Sequence, residues 1–358
     1  MSCKFGKGTN RDGKFSDPNK TALLWEIDMI KKVIHYCVLF VGVFLMLGIG
    51  GCAKKPYELD IADDGRIHIV CTTFVQYDWV KNLIAGNEEQ FHLTVLMESG
   101  NDLHNFQPSA LDIARISMCD MFIYVGGESD SWAEDVIKDA VHSNMYVINM
   151  MEALDKRLVE EEAVDGMEEH DHEDHGGEYD EHVWLSLRNA AFLTEYISVA
   201  LGEIEQEHAQ LYTDNCIAYT AKLETLDTAF EQVVTNGSVD TLLFADRFAF
   251  RYFVEDYDLK YYAAFEGCSA QTGASFAIVA FLSEKLDELG LDFVIVTDRT
   301  SDRLARVIIE NTQTKDQQIL RMNSLQSISR KDIDSGVSYL SAMEENLRVL
   351  KQLVGLDS

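Results

Sequence analysis

Eight short apolar runs rich in β-branched residues recur along the chain, separated by longer stretches of helical spacing, and this alternation decides the class of fold. The first set comprises 67–74 (IHIVCTTF), 92–97 (HLTVLM), 121–127 (MFIYVGG) and 145–150 (MYVINM). A second set begins after Asn236-Gly237, at 241–245 (TLLFA), 259–265 (LKYYAAF), 292–297 (DFVIVT) and 317–322 (QQILRM). Such runs read as buried strands of parallel sheets, and repeated βα order in two sets predicts two α/β lobes. Pro108 and Ser109 stand where a helix starts. Gly126-Gly127, after a strand, reads as a turn.

Between the two sets, residues 187–234 carry few strand or turn signals and are rich in Ala, Leu, Glu and Gln, which predicts two helices. The later one, about His208 to Val234, would span about 40 Å at 1.5 Å per residue. Gly336 begins a last amphipathic helix whose Tyr339, Leu340, Met343, Leu347 and Leu350 lie close to one face and read as core. The domain expectation is an amino-terminal lobe over 66–205, a linking helix over 206–236 and a carboxy-terminal lobe over 237–358. With 358 residues and 47% hydrophobic content, the chain is long and apolar enough for a core in each lobe.

A formal charge of −31 speaks against nucleic acid or an anionic membrane surface as partner, and does not oppose a cation. The acid is most concentrated from Glu160 to Trp184, where twelve carboxylates and four of the chain's ten histidines occur with no Lys or Arg. Imidazole and carboxylate are the donors a divalent transition metal seeks. His170, His172, His175 and His182 therefore mark metal handling, against the alternative of a merely solvated acidic loop over 160–182.

Lys31 and Lys32 precede an apolar segment whose core runs from Cys37 to Ile49 and ends in Gly50-Gly51-Cys52. That reads as an export signal, over 29–51, with an uncleaved anchor helix as the alternative; at thirteen residues its core is shorter than the roughly 20 a spanning helix needs. Met29 reads as the true start, with 1–28 a misassigned extension and 52–65 a linker. Four of the seven cysteines, Cys71, Cys119, Cys216 and Cys268, remain at wide spacings after Cys52, and no CxxC pair exists. A protein of this size needs no disulfide framework, and a single disulfide stays open.

Gly100-Asn101-Asp102-Leu103-His104-Asn105-Phe106-Gln107-Pro108 follows a predicted strand, so His104 stands at a carboxyl strand end, where ligands of open α/β sheets bind. This string resembles the G-x-D-P-H-x-x-x-x-P motif of the zinc and manganese ABC-transporter solute-binding lipoproteins, the cluster A-I family. Asp180-Glu181-His182-Val183-Trp184-Leu185-Ser186 is similar to that family's D-P-H-x-W-L-D, with the acidic, histidine-rich loop just before it. Phe248-Ala249-Phe250-Arg251-Tyr252, followed by Tyr257-Asp258-Leu259, resembles H-x-A-F-x-Y with its downstream Y-G-L. Residues 339–347 match the closing helix, and Ile49-Gly50-Gly51-Cys52 resembles a lipobox, whose cysteine is diacylated.

The resemblance, from Arg66 to the C-terminus, implies two Rossmann-like lobes joined by a long rigid α-helix, with one metal bound in the cleft between them. It implies that His104 and His182 are ligands and that the third family ligand falls where this chain has Arg247, whose guanidinium cannot coordinate. Asp246, adjacent, is a candidate donor, with an ion pair to Arg247 as its alternative reading. Cys268 could offer a thiolate, with a buried, inert cysteine as the favoured alternative, and Asn323 aligns roughly with the family's fourth ligand, where it would offer only its carbonyl oxygen. His170, His172 and His175, with the spacing H-x-H-x-x-H among carboxylates, are expected at most to collect zinc weakly beside the cleft.

The functional expectation is an extracytoplasmic, lipid-anchored, monomeric solute-binding protein. It would capture Zn2+, with Mn2+ as the alternative, for an ABC permease and its ATPase. A surface adhesin or interaction lipoprotein on the same scaffold is the second reading. An enzyme is not expected: HExxH, G-x-S-x-G and a phosphate-binding glycine loop are all missing from the sequence.

Overall fold

A computed structural model describes residues 64–100, 103–162, 164, 165, 167, 179–267 and 273–356. They fall within one compact unit, Ile61–Ser358. Cys52, Cys268, His170, His172 and His175 lie outside the described residues, so the lipidation, thiolate and collector expectations are not addressed by the geometry.

Each set of apolar runs forms a four-stranded parallel sheet. The first holds β1 (Ile67–Cys71), β2 (Phe91–Val95), β3 (Met121–Tyr124) and β4 (Tyr146–Asn149), in the order β2-β1-β3-β4. The second holds β5 (Thr241–Arg247), β6 (Lys260–Phe265), β7 (Phe293–Thr297) and β8 (Gln318–Met322), in the order β6-β5-β7-β8. In both, the chain reverses its direction of travel across the sheet beside the first strand, which opens a crevice at the carboxyl ends of the strands. All four residues of β3 and the first six of β5 are buried, as helices on both faces require.

The helices are α1 (Phe74–Leu83), α2 (Ala110–Met118), α3 (Trp132–Lys138), α4 (Met150–Leu154), α5 (Leu187–Ile204), α6 (Ala209–Asn236), α7 (Arg251–Tyr257), α8 (Phe276–Leu289), α9 (Arg303–Glu310), α10 (Arg330–Asp334) and α11 (Tyr339–Leu353). Several starts are written in the sequence as caps. Ser109, Ser186, Ser275 and Ser338 each accept the backbone N–H three residues on, which satisfies a helix-end donor. The first run departs from expectation. The strand stops at Cys71, because the Gln76 side chain accepts from the Thr73 N–H at 2.9 Å and starts α1.

One hydrophobic core runs through both lobes. Trp79 of α1, Trp184, Phe230 of α6, Phe250, Phe253 and Tyr339 of α11 are all buried in a single contiguous cluster. Smaller clusters line the outer face of each sheet, around Phe122 in the first and Leu282 in the second. The lobes are thus joined by packed side chains as well as by α6, which at 28 residues is about 42 Å long. The buried residues of α11 are Tyr339, Ala342, Met343, Asn346, Val349, Leu350 and Leu353; Leu340 and Leu347, expected on that face, are only partly buried. Among the described residues no helix is long and apolar enough to cross a membrane.

Candidate metal site

His104 and His182 come from distant segments and meet. His104 sits on a 3₁₀ turn, Leu103–Asn105, pinned by the buried Leu103 side chain. His182 leads into a second 3₁₀ turn, Val183–Leu185, whose three residues are all buried. Their Nε2 atoms stand 3.2 Å apart, with the rings edge to face at 61°. Two zinc–nitrogen bonds of about 2.0–2.1 Å at a tetrahedral angle place their nitrogens about 3.3 Å apart. The pair therefore has the bite of a four-coordinate zinc.

What lies behind the rings fixes which nitrogens face each other. His182 Nδ1 is 3.0 Å from Asp180 Oδ1, which also accepts the His182 backbone N–H at 2.8 Å. His104 Nδ1 is 2.8 Å from Ser129 Oγ, on the loop after β3, and 3.5 Å from Glu181 Oε2. With each Nδ1–H donating to these oxygens, each Nε2 can offer a lone pair to a metal, and until a cation takes that place the 3.2 Å approach is a hydrogen bond with a proton on one Nε2. Tyr252 of α7 donates its hydroxyl to the Asp180 carbonyl oxygen at 2.9 Å, so the second lobe braces the first lobe's site.

The electrostatics are those of buried groups. Burial pulls the His182 ring down, but the charge and hydrogen bond of Asp180, with Glu181 and Glu161, outweigh it and leave its pKa raised. Glu181 is pushed up by burial, against opposing hydrogen bonds from Ser129 and the proximity of His182. Asp130, which accepts the Val125 and Gly126 N–H groups below the same loop, is pushed up to about 7 by burial. A cavity of about 850 Å³ opens in front of His104, and Glu128, Glu161, Glu181 and Tyr179 are among its lining residues. Acidic walls of this kind concentrate cations.

The second lobe presents Gly267 to the pair. A Cβ at Gly267 would come within 2.6 Å of the Phe248 carbonyl oxygen and 3.2 Å of His182 Cε1, so only glycine permits this approach. Asp246 lies where the β5–β6 register shifts, between Phe244 and Arg247. Its Oδ1 accepts the Arg247 backbone N–H at 2.8 Å, and its Oδ2 accepts the Thr297 N–H at 3.0 Å and the Thr297 hydroxyl. Both oxygens thus already serve hydrogen bonds within their own lobe, and Arg247 is bound to Asp246 through its backbone. The Asn323 side-chain oxygen likewise accepts from Leu325 N at 2.8 Å.

Glu181, Ser129 and Asp298 entered without a signal strong enough to single them out. Asp298 accepts from Ser324 N and Oγ through Oδ1, while its buried Oδ2 has no hydrogen-bond partner and faces a small cavity shared with Arg247 and Gly267. Cys71, Cys119 and Cys216 are free and buried, and burial pushes the Cys71 and Cys119 thiols up, so none is a poised thiolate. A separate group, Glu205, Glu207 and His208, closes the start of α6: the Glu205 carboxylate accepts from the Glu207 and His208 N–H groups and from the Tyr212 hydroxyl.

Comparison with known proteins bears on the family and the fold. The chain is 28% identical over 302 residues to the zinc-binding lipoprotein AdcA of Streptococcus pneumoniae, a match covering 81% of this chain and 56% of that protein. It is 24% identical over 319 residues to the high-affinity zinc uptake system protein ZnuA of Bacillus subtilis, covering 86% and 93%. The fold matches the Zn(II)-bound ZnuA-like domain of Streptococcus pneumoniae AdcA with a TM-score of 0.64 at 24% identity, over 81% of this chain and 99% of that domain. The sequence model described as "ZnuA: Zinc-uptake complex component A periplasmic" matches residues 69–353, and the chain belongs to that family.

Proposed function

We propose that this protein is an extracytoplasmic, lipid-anchored binding protein that captures Zn2+ and delivers it to an ABC permease driven by its ATPase. The 3.2 Å separation of His104 and His182 Nε2 carries the reading, since it suits two ligands of one tetrahedral ion. Family membership and similarity to the zinc-binding lipoprotein AdcA and the zinc uptake protein ZnuA support zinc and uptake. The role is binding and release, with no bond of a substrate made or broken.

His104 and His182 would supply two nitrogen donors from the first lobe, and water or second-lobe oxygen the remainder. Asp246 already accepts three hydrogen bonds within its own lobe, from the Arg247 N–H and from the Thr297 N–H and hydroxyl, so it would join the set through the lone pair those bonds leave on Oδ1. The core shared between the lobes favours a small tilt on capture and release over wide hinge closure. His170, His172 and His175 would collect zinc weakly beside the cleft, and Cys52 would carry the lipid.

Arg247 and Asn323, at positions where the family resemblance implies ligands, favour a second reading: an interaction lipoprotein whose metal binding has weakened. Calorimetric titration with zinc and elemental analysis of the purified chain separate the two. One tightly held zinc per chain is expected, and no bound metal with no heat of binding would remove the transport reading.

A further inference from the structure

Glu181 is 3% exposed, and its Oε2 has no hydrogen-bond partner although it is wholly inside the protein. A carboxylate buried in this way is costly unless a charge or donor faces it. It faces His104, whose Nδ1 is 3.5 Å from Oε2. Its other oxygen accepts the Ser129 N–H at 2.9 Å, and Ser129 Oγ is 2.8 Å from the same His104 nitrogen.

The loop after β3 is shaped to receive this group. Gly127 has φ +78°, and a Cβ there would come within 2.3 Å of Glu181 Oε1 and 2.7 Å of its Cδ and Cγ. Glycine at 127 thus does two things at once: it permits the left-handed turn and leaves the space the carboxylate fills. Ser129, two residues on, is the residue that touches both Glu181 and His104.

Asp180 and Glu181 are sequence neighbours, so their side chains diverge. Asp180 turns to His182 Nδ1 and Glu181 to His104 Nδ1. We propose that Glu181, cradled by Gly127 and Ser129, is the positioning residue of His104, as Asp180 is of His182, so that one dipeptide orients both imidazoles of the metal site. When a cation draws on Nε2, the Nδ1–H becomes a stronger donor, and the unpartnered Oε2 is placed to answer it. The proposal rests on His104 being a ligand.

The test uses the full chain and two readouts. In zinc-free protein labelled with 15N at histidine, the wild-type His104 ring should give the Nδ1–H tautomer. E181Q should shift the His104 ring signals more than those of His182, whose Nδ1 keeps its Asp180 partner. Zinc affinity, measured by competition with a chromophoric chelator, should fall by about 10–100-fold in E181Q, with the zinc-free unfolding midpoint retained. E181D, which keeps the charge but withdraws it by one methylene, should lie between, and S129A combined with E181Q should cost less than the two losses multiplied, because both act through one nitrogen.

Unchanged His104 signals, or wild-type zinc affinity in E181Q, would overturn the assignment even with the metal reading intact. Failure of the wild-type chain to bind zinc would instead strike the metal reading, and the inference would fall with it as a statement about ligand positioning.

Discussion

The indole Nε1–H of Trp184 donates to the carbonyl oxygen of Ser324 at 2.9 Å, joining the turn that carries His182 to the loop after β8 in the other lobe. The Trp184 carbonyl in turn accepts the Tyr339 hydroxyl at 2.6 Å, and the Tyr339 N–H donates to Asp78 at 3.0 Å. All four residues are buried, so this chain of bonds lies out of water and ties the elements beside the cleft together. Replacing Trp184 by Phe keeps an aromatic side chain but removes the donor, leaves the Ser324 carbonyl unsatisfied and opens space where the larger indole packed. The variant should lose about 1–3 kcal/mol in urea denaturation.

Stability should depend on pH through buried carboxylates. Asp130 and Asp78 are pushed by burial to about 7 and about 6, above the ordinary 3.8. The folded state therefore holds these protons more tightly than the unfolded chain does. Their contribution is fully present below about pH 4 and is lost as pH rises through 6 and 7. D130N should narrow this loss, so its stability relative to wild type should improve as pH rises from 4 to 8, as read by denaturation at each pH.

Zinc affinity should fall on acidification, and from a higher pH than an ordinary imidazole would give, because His182 is raised above 6.5 by Asp180 and its acidic neighbours. Chelator competition between pH 5 and 8 checks this. Deleting 168–178, with three of the histidines, should leave the tight site in place and remove weaker binding; unchanged stoichiometry would discard the collector idea.

Arg247 closes β5, bound through its backbone N–H to Asp246. Exchange of its guanidinium for an imidazole removes a fixed positive charge and adds a nitrogen donor. R247H should therefore tighten zinc by about tenfold, equivalent to about 1.4 kcal/mol.

The two sheets were legible because buried parallel strands write themselves as continuous apolar runs: each of the eight runs contains a strand or overlaps one closely, and the long helix expected from about His208 to Val234 is Ala209–Asn236. Boundaries slipped where a side chain overrode the run, as Gln76 does in ending β1. The pairing of His104 with His182 came from motif resemblance, because spacing alone cannot bring residues 78 apart in sequence together. Glu181 stayed hidden among the eleven other acids of its run. Only the three-dimensional path shows that this one turns inward, into space that Gly127 leaves for it.

The most direct test of the central claim is anomalous scattering measured above and below the zinc edge from a crystal of the zinc-loaded chain. A single strong peak within about 2.1 Å of both His104 Nε2 and His182 Nε2 is expected. A peak elsewhere, or none at that pair in zinc-saturated protein, would contradict the account.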